Sequence, residues 1–154
     1  MTDLSAAMNE EPRPPGSSRE QGEVELVMVD ALAAKLGIPL ASRRVPLRDG
    51  AWIEVDAASG DLSVLCEAWA HQGLAKAAQQ HKILKDVLKL ALAARVLGTA
   101  PRLILVFSDE AATSKLRTGW AGLALREFGV EIEVVEIPES LRQRVREAQT
   151  RQDR

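Results

Sequence analysis

The sequence predicts a mixed α/β fold, an α+β arrangement in which helices flank a mixed sheet. Three features predict it. Three short strand-like segments, Arg43–Arg48, Ala51–Ala57 and Leu62–Ala70, follow one another with turn residues between them. A long Ala/Leu/Lys-rich helix spans Gly73 to Leu97, and the unbroken apolar run Leu103–Phe107 then reads as a strand covered on both faces. Hairpin strands followed by helical crossovers require a sheet with both antiparallel and parallel neighbours.

Each element has a local cause. Leu26, Val29, Ala33 and Leu36 fall on one side of a first helix beginning near Glu23, and Gly37 with Pro39 stops it. Pro46 lacks an N–H, so its strand belongs at a sheet edge. Asp49-Gly50 is the strongest two-residue hairpin signal. In the next strand Trp52, Glu54 and Asp56 alternate with Ile53, Val55 and Ala57. Ser59-Gly60-Asp61 turns the chain into the third strand. Gly98 and Pro101 end the long helix. Ser108 or Asp109 caps another, in which Ala112, Leu116, Trp120 and Leu123 recur at helical spacing, with Trp120 expected in the core. Val130, Ile132 and Val134 alternate as a last strand, and a polar, Arg-rich helix follows Pro138. The order is α-β-β-β-α-β-α-β-α.

At 154 residues the chain suits one domain, since domains run to roughly 100–200 residues. Residues 1–21 read as a disordered tail, 22–138 as the folded domain and 139–154 as a polar C-terminal helix or tail. Twenty basic against 22 acidic residues leave a net charge of −2, so this is no polybasic coat for nucleic acid. A single cysteine excludes a disulfide framework and a multi-cysteine zinc site. The opening residues do not form a secretory signal, and no run of about 18 apolar residues could span a membrane. A cytoplasmic, bacterial-type soluble protein is expected. Without a Gly-rich phosphate loop, a Cys-x-x-Cys or a His-Glu-x-x-His motif, NTPase, redox and zinc-protease chemistry are disfavoured. His71 and His81 have no ligand spacing, and Cys66, alternating away from Glu67, reads as a small buried hydrophobe.

The chemistry lies in two neighbouring strands that both carry acids. A hairpin about Ser59-Gly60 would bring Asp56 close to Glu67, which shares its strand face with Leu65, Trp69 and His71. Two carboxylates in a sheet either share a proton or bind a cation. A hard divalent ion, Mg²⁺ (or Mn²⁺), suits them best, and such an ion can activate water and neutralise a phosphate.

The segment WIEVDAASGDLSVLCEAWAHQG resembles the catalytic hairpin of the PD-(D/E)XK nuclease superfamily, which has the restriction-endonuclease-like fold. Asp56 matches the family's Asp at the end of the second strand, and Glu67-Ala68-Trp69 stands where Glu-x-Lys belongs. The resemblance covers about residues 22–137. It implies an αβββαβ core, here with an additional helix and strand, and a nuclease that hydrolyses phosphodiester bonds in nucleic acid, with DNA ahead of RNA. In that reading Asp56 and Glu67 hold the metal with the Ala68 carbonyl, and Glu25 on the first helix and Gln79 assist. Trp69 replaces the family's lysine and cannot supply a cation. In this superfamily that lysine sometimes migrates to a neighbouring element. At about 100° per residue, Gln79, Lys82, Asp86 and Lys89 fall within about 80° of one another, with Lys76 to the other side of Gln79. Lys76 or Lys82 is the expected substitute, and a helix N-terminus there would favour phosphate.

Two other readings use the same residues. One is a pseudo-nuclease binding nucleic acid or a protein, which Trp69 and the lack of a basic excess favour. The other is an accessory subunit, a homodimer or partner protein, that associates through the sheet edge near Pro46.

Overall fold

The computed structural model describes residues 17–152, with side chains from Arg19 onward. The elements are α1 (Ser17–Leu36), β1 (Ala41–Pro46), β2 (Trp52–Ala58), β3 (Val64–Trp69) and α2 (Ala77–Leu97). They continue with β4 (Arg102–Phe107), a 3-10 helix (Glu110–Leu116), α3 (Gly119–Glu127), β5 (Val130–Val134) and α4 (Glu139–Gln152). The five strands form one sheet in the order β1-β2-β3-β4-β5. β1, β2 and β3 pair antiparallel; β3, β4 and β5 pair parallel. This is the mixed sheet that the element order requires.

The turns behave as their residues dictate. Asp49 and Gly50 both have positive φ, 57° and 78°, which is the two-residue hairpin geometry that matches strand twist. At the β2–β3 turn the Asp61 carboxylate accepts from the Ser63 N–H and from the Ser59 and Ser63 hydroxyls. Those bonds hold its acid well below the ordinary range, at about 2. β1 lies at the sheet edge, as Pro46 requires.

Helices cover both faces. One core packs Val55, Leu65, Leu105 and Phe107 against Ile83, Val87 and Leu90 of α2, with Leu116 and Leu125 beyond. The other packs Cys66, Ala68, Ile104 and Val106 against Val24, Met28 and Leu32 of α1 and Val145 of α4. β4 is buried along five of its six residues, which explains its unbroken apolar run.

Four expectations need correction. First, α1 begins at Ser17, so the predicted tail at 1–21 runs too far, and residues 1–16 lie outside the described residues. Its inward face is Val24, Met28 and Leu32 at i, i+4 spacing, while Leu26 is 65% exposed. Second, α4 is no appendage: Val145 and Ala148 are buried, and Arg144 and Arg151 pair with Glu23 and Glu20 of α1. Third, the helix expected through Ala112 to Leu123 breaks after Leu116. α3 starts afresh at Gly119 and turns Gly122 and Leu125 inward, leaving Trp120 73% exposed rather than in the core. Gly122 permits that turn, because a Cβ there would stand 2.7 Å from the Arg117 carbonyl carbon.

The fourth correction sets up the site. Ala41 pairs with Ala58 but Arg43 pairs with Val55, so three residues of β2 span two of β1. This bulge inverts the alternation of β2. Val55 and Ala58 face the α2 side while Ala57 faces α1 and α4. Val55 and Ala57 therefore face opposite sides of the sheet, contrary to simple alternation.

α4 is also fastened to the end of β3. Gln149 accepts from the Gln72 N–H at 2.8 Å and donates to the Gln72 carbonyl at 3.0 Å, as a paired strand would. The Gln72 side chain in turn donates to the Ser108 hydroxyl at 2.8 Å after β4. Replacing Gln149 with Ala leaves both backbone groups of Gln72 short of partners. A loss of about 1–3 kcal/mol is expected, read as a lower urea midpoint at unchanged slope.

Candidate functional site

β2 and β3 pair only at Ala57–Cys66 and Ala58–Leu65. Beyond Ala57, on the bulge, the strands part. Asp56 enters the gap, and its Oδ2 accepts the Ala68 N–H at 2.8 Å, standing in for the missing backbone partner. One further step of the same register brings Glu67 opposite. The two acids thus lie on adjacent antiparallel strands and in one cleft, as the turn between β2 and β3 predicts.

A cavity of about 330 Å³ opens here, lined by Asp56 of β2, by Glu67, Ala68 and Trp69 of β3, and by His71 just past the end of β3. Gln21 and Glu25 of α1 close one side, and Lys82 and Asp86 of α2 the other. The parting of the strands lets helices from both faces of the sheet reach the same space.

Glu67 is the unusual group. It is 3% exposed in the middle of an otherwise apolar strand. Burial, and then the neighbouring Asp56, push its acid up to about 9, against the pull of Lys89. Lys89 Nζ stands 2.6 Å from Glu67 Oε1 and donates to the Glu54 carbonyl at 2.7 Å. Glu67 Oε1 thus already has a cation beside it, and a metal in the cavity would share this carboxylate with Lys89. Among the described residues no group of three or more His, Cys, Asp or Glu side chains is arranged to hold a metal. A metal here would have to use a smaller set, two carboxylates with a backbone carbonyl and waters. Ala68 can supply the carbonyl: its N–H points into the gap at Asp56, and in a strand the C=O of the same residue points to the same side.

The other candidates divide. Glu25 lines the cavity, as does Lys82. Lys76 and Gln79 do not: α2 begins at Ala77, and Gln79 Oε1 accepts the Lys76 N–H at 2.9 Å, which closes the first turn. Lys89 and Asp86 are site groups that sequence reasoning missed, although both lie on the helix stripe with Lys82. Nearness in sequence to β3 favours the start of α2. As the crossover between parallel strands, α2 runs back over the sheet, so its second to fourth turns lie over the acids.

Trp69 has its own engagement. Its indole Nε1 donates to Asp86 Oδ2 at 3.0 Å, and its ring meets that of His71 at 5.7 Å between centroids. Burial, together with the charge of Lys82, holds the His71 imidazole below its ordinary value. Behind the site, burial and then Glu67 push the Cys66 thiol up to about 12, so it is inert.

The raised Glu67 acid has a testable consequence. Its folded value lies above the unfolded one near 4.5, so between those values the folded state holds a proton that the unfolded state releases. Stability then falls as pH rises through that window, by at most about 1.4 kcal/mol per pH unit. Urea titrations at several pH values should show Glu67→Gln gaining on the parent protein as pH rises from 5 to 9. A constant difference between the two would refute the assignment.

No family model matches this chain, and no curated protein or solved structure matches it either.

Proposed function

We propose that the chain is a metal-dependent nuclease of the PD-(D/E)XK type, built on a restriction-endonuclease-like core and acting on nucleic acid, with DNA ahead of RNA. The observation that carries this reading is the meeting of Asp56 and the buried Glu67 in one cavity at the point where two strands part. An acid buried in a sheet costs stability, and here nothing in the apolar packing requires it.

In this reading Asp56, Glu67 and the Ala68 carbonyl would hold Mg²⁺ or Mn²⁺. When bound there, the ion supplies an activated water and neutralises charge developing on the phosphate. The chain's own groups do the rest. Lys82, on the cavity wall, takes the phosphate that the family's strand lysine would meet. Lys89 balances Glu67 from behind, so that the two acids can be held close together. Glu25 and Gln21 close the α1 side of the cavity and limit where a backbone can lie.

A second reading, a pseudo-nuclease that binds nucleic acid or a protein without cutting, is favoured by Trp69 at the lysine position, where the indole N–H is committed to Asp86. Cleavage assays on single- and double-stranded DNA and on RNA, with Mg²⁺ and then Mn²⁺, separate the two. Activity that is abolished in Asp56→Ala and Glu67→Ala, and lowered about 100-fold in Lys82→Ala with the fold intact, is the expected result. No cleavage of any substrate with either ion, together with retained nucleic-acid binding, would establish the pseudo-nuclease.

A further inference from the structure

The residue that breaks the nuclease pattern has a partner that gives it a use. Trp69 cannot replace a lysine's charge, yet it is not simply packed: its Nε1 donates to Asp86 Oδ2 at 3.0 Å across the gap between β3 and α2. Asp86 lies between the two lysines that serve the site. Lys82 is four residues before it and lines the cavity; Lys89 is three residues after it and reaches Glu67. Asp86 Oδ1 stands 3.9 Å from Lys89 Nζ, so one carboxylate touches both the strand tryptophan and the helix lysine. Spacings of three and four residues put all three side chains on one stripe of α2.

A lysine on a strand is aimed by the sheet itself. A lysine on a helix is aimed only as well as the rotation and height of that helix are fixed, and apolar packing leaves more play in rotation than a directed hydrogen bond does. We propose that Trp69 and Asp86 are positioning residues: their hydrogen bond keys α2 to β3, so that Lys82 faces the cavity and Lys89 meets Glu67. Loss of the strand lysine and gain of this brace are then two halves of one arrangement. The inference rests on the nuclease reading for its catalytic meaning, but the brace itself is a property of the fold.

The test uses the full chain with Trp69→Phe, Asp86→Ala and Asp86→Asn. Trp69→Phe keeps a ring without its N–H, Asp86→Ala removes the acceptor, and Asp86→Asn keeps an oxygen that can accept the indole proton. Limited acetylation read by fragment mass spectrometry gives the reactivity of Lys89, with the exposed Lys115 as internal control. Lys89 should react at least fivefold more slowly than Lys115 in the parent protein. Trp69→Phe and Asp86→Ala should each speed Lys89 at least threefold with Lys115 unchanged, and Asp86→Asn should stay within twofold of the parent. In cleavage assays the first two variants should lose about tenfold in kcat with KM within twofold. Their double variant should fall no further than the worse single one.

Unchanged Lys89 reactivity in both disruptive variants would overturn the brace. So would a more than tenfold loss of Mn²⁺ affinity in Asp86→Asn, because Asp86 would then be a metal ligand. Should Trp69→Phe not fold, Asp86→Ala against Asp86→Asn decides alone. If the parent protein cleaves nothing, the nuclease reading falls while the acetylation result still decides the brace.

Discussion

Glu67 is the constraint around which the rest is arranged. A carboxylate in the middle of a buried strand is tolerated only where something offsets its desolvation. Here the offsets come from separate parts of the chain: Lys89 from the helix over one face, and Asp56 from the neighbouring strand, close enough to favour retention of a proton. Asp56 reaches it because the bulge in β2 turns that strand's last residues, and because pairing with β3 stops where the acid enters. The position of α2 follows from the same demand. If the strands stayed paired to their ends, there would be no gap, no cavity and no route for Glu25 and Lys82 into one space.

The proposed nuclease reading has to accommodate a slightly negative net charge. In that reading the acids would be neutralised locally, by a proton, by Lys89 and by the proposed cation, so a surrounding field of basic residues would be less needed. Several surface arginines are already committed: Arg144 and Arg151 to α1, Arg102 to Glu131, and Arg44 lies over the Trp52 ring. Affinity would then depend more on the cavity and its ion than on long-range attraction, and would be correspondingly less sensitive to salt.

Much of this is legible in the sequence because it is encoded locally. Asp49-Gly50 and Ser59-Gly60 mark hairpins through backbone preference alone, the β4 run shows burial on both faces, and the eleven-residue spacing of Asp56 and Glu67 brings them together once the turn is granted. What escapes is non-local. No glycine marks the bulge at Asp56-Ala57, which exists because β1 and β2 must re-register against each other. Lys89 escapes because distance along the chain is a poor guide to distance in space where a crossover helix reverses the order. Trp120 matches a helical period that continues through Arg117 and Thr118, where the backbone in fact starts a new helix. The inward arc of α1 depends on where α4 lies, and the partner residues are more than a hundred positions away.

The lone cysteine draws the last consequence. Cys66 is fully buried on the opposite side of β3 from Glu67 and pairs with Ala57 at the edge of the gap. A thiol so placed cannot meet a reagent while the two strands hold together. Its labelling rate is therefore a clock for the opening of the β2–β3 seam, supplied by the native chain without any engineered probe. Whether that seam opens alone or only when the whole sheet comes apart decides how far the cavity can widen.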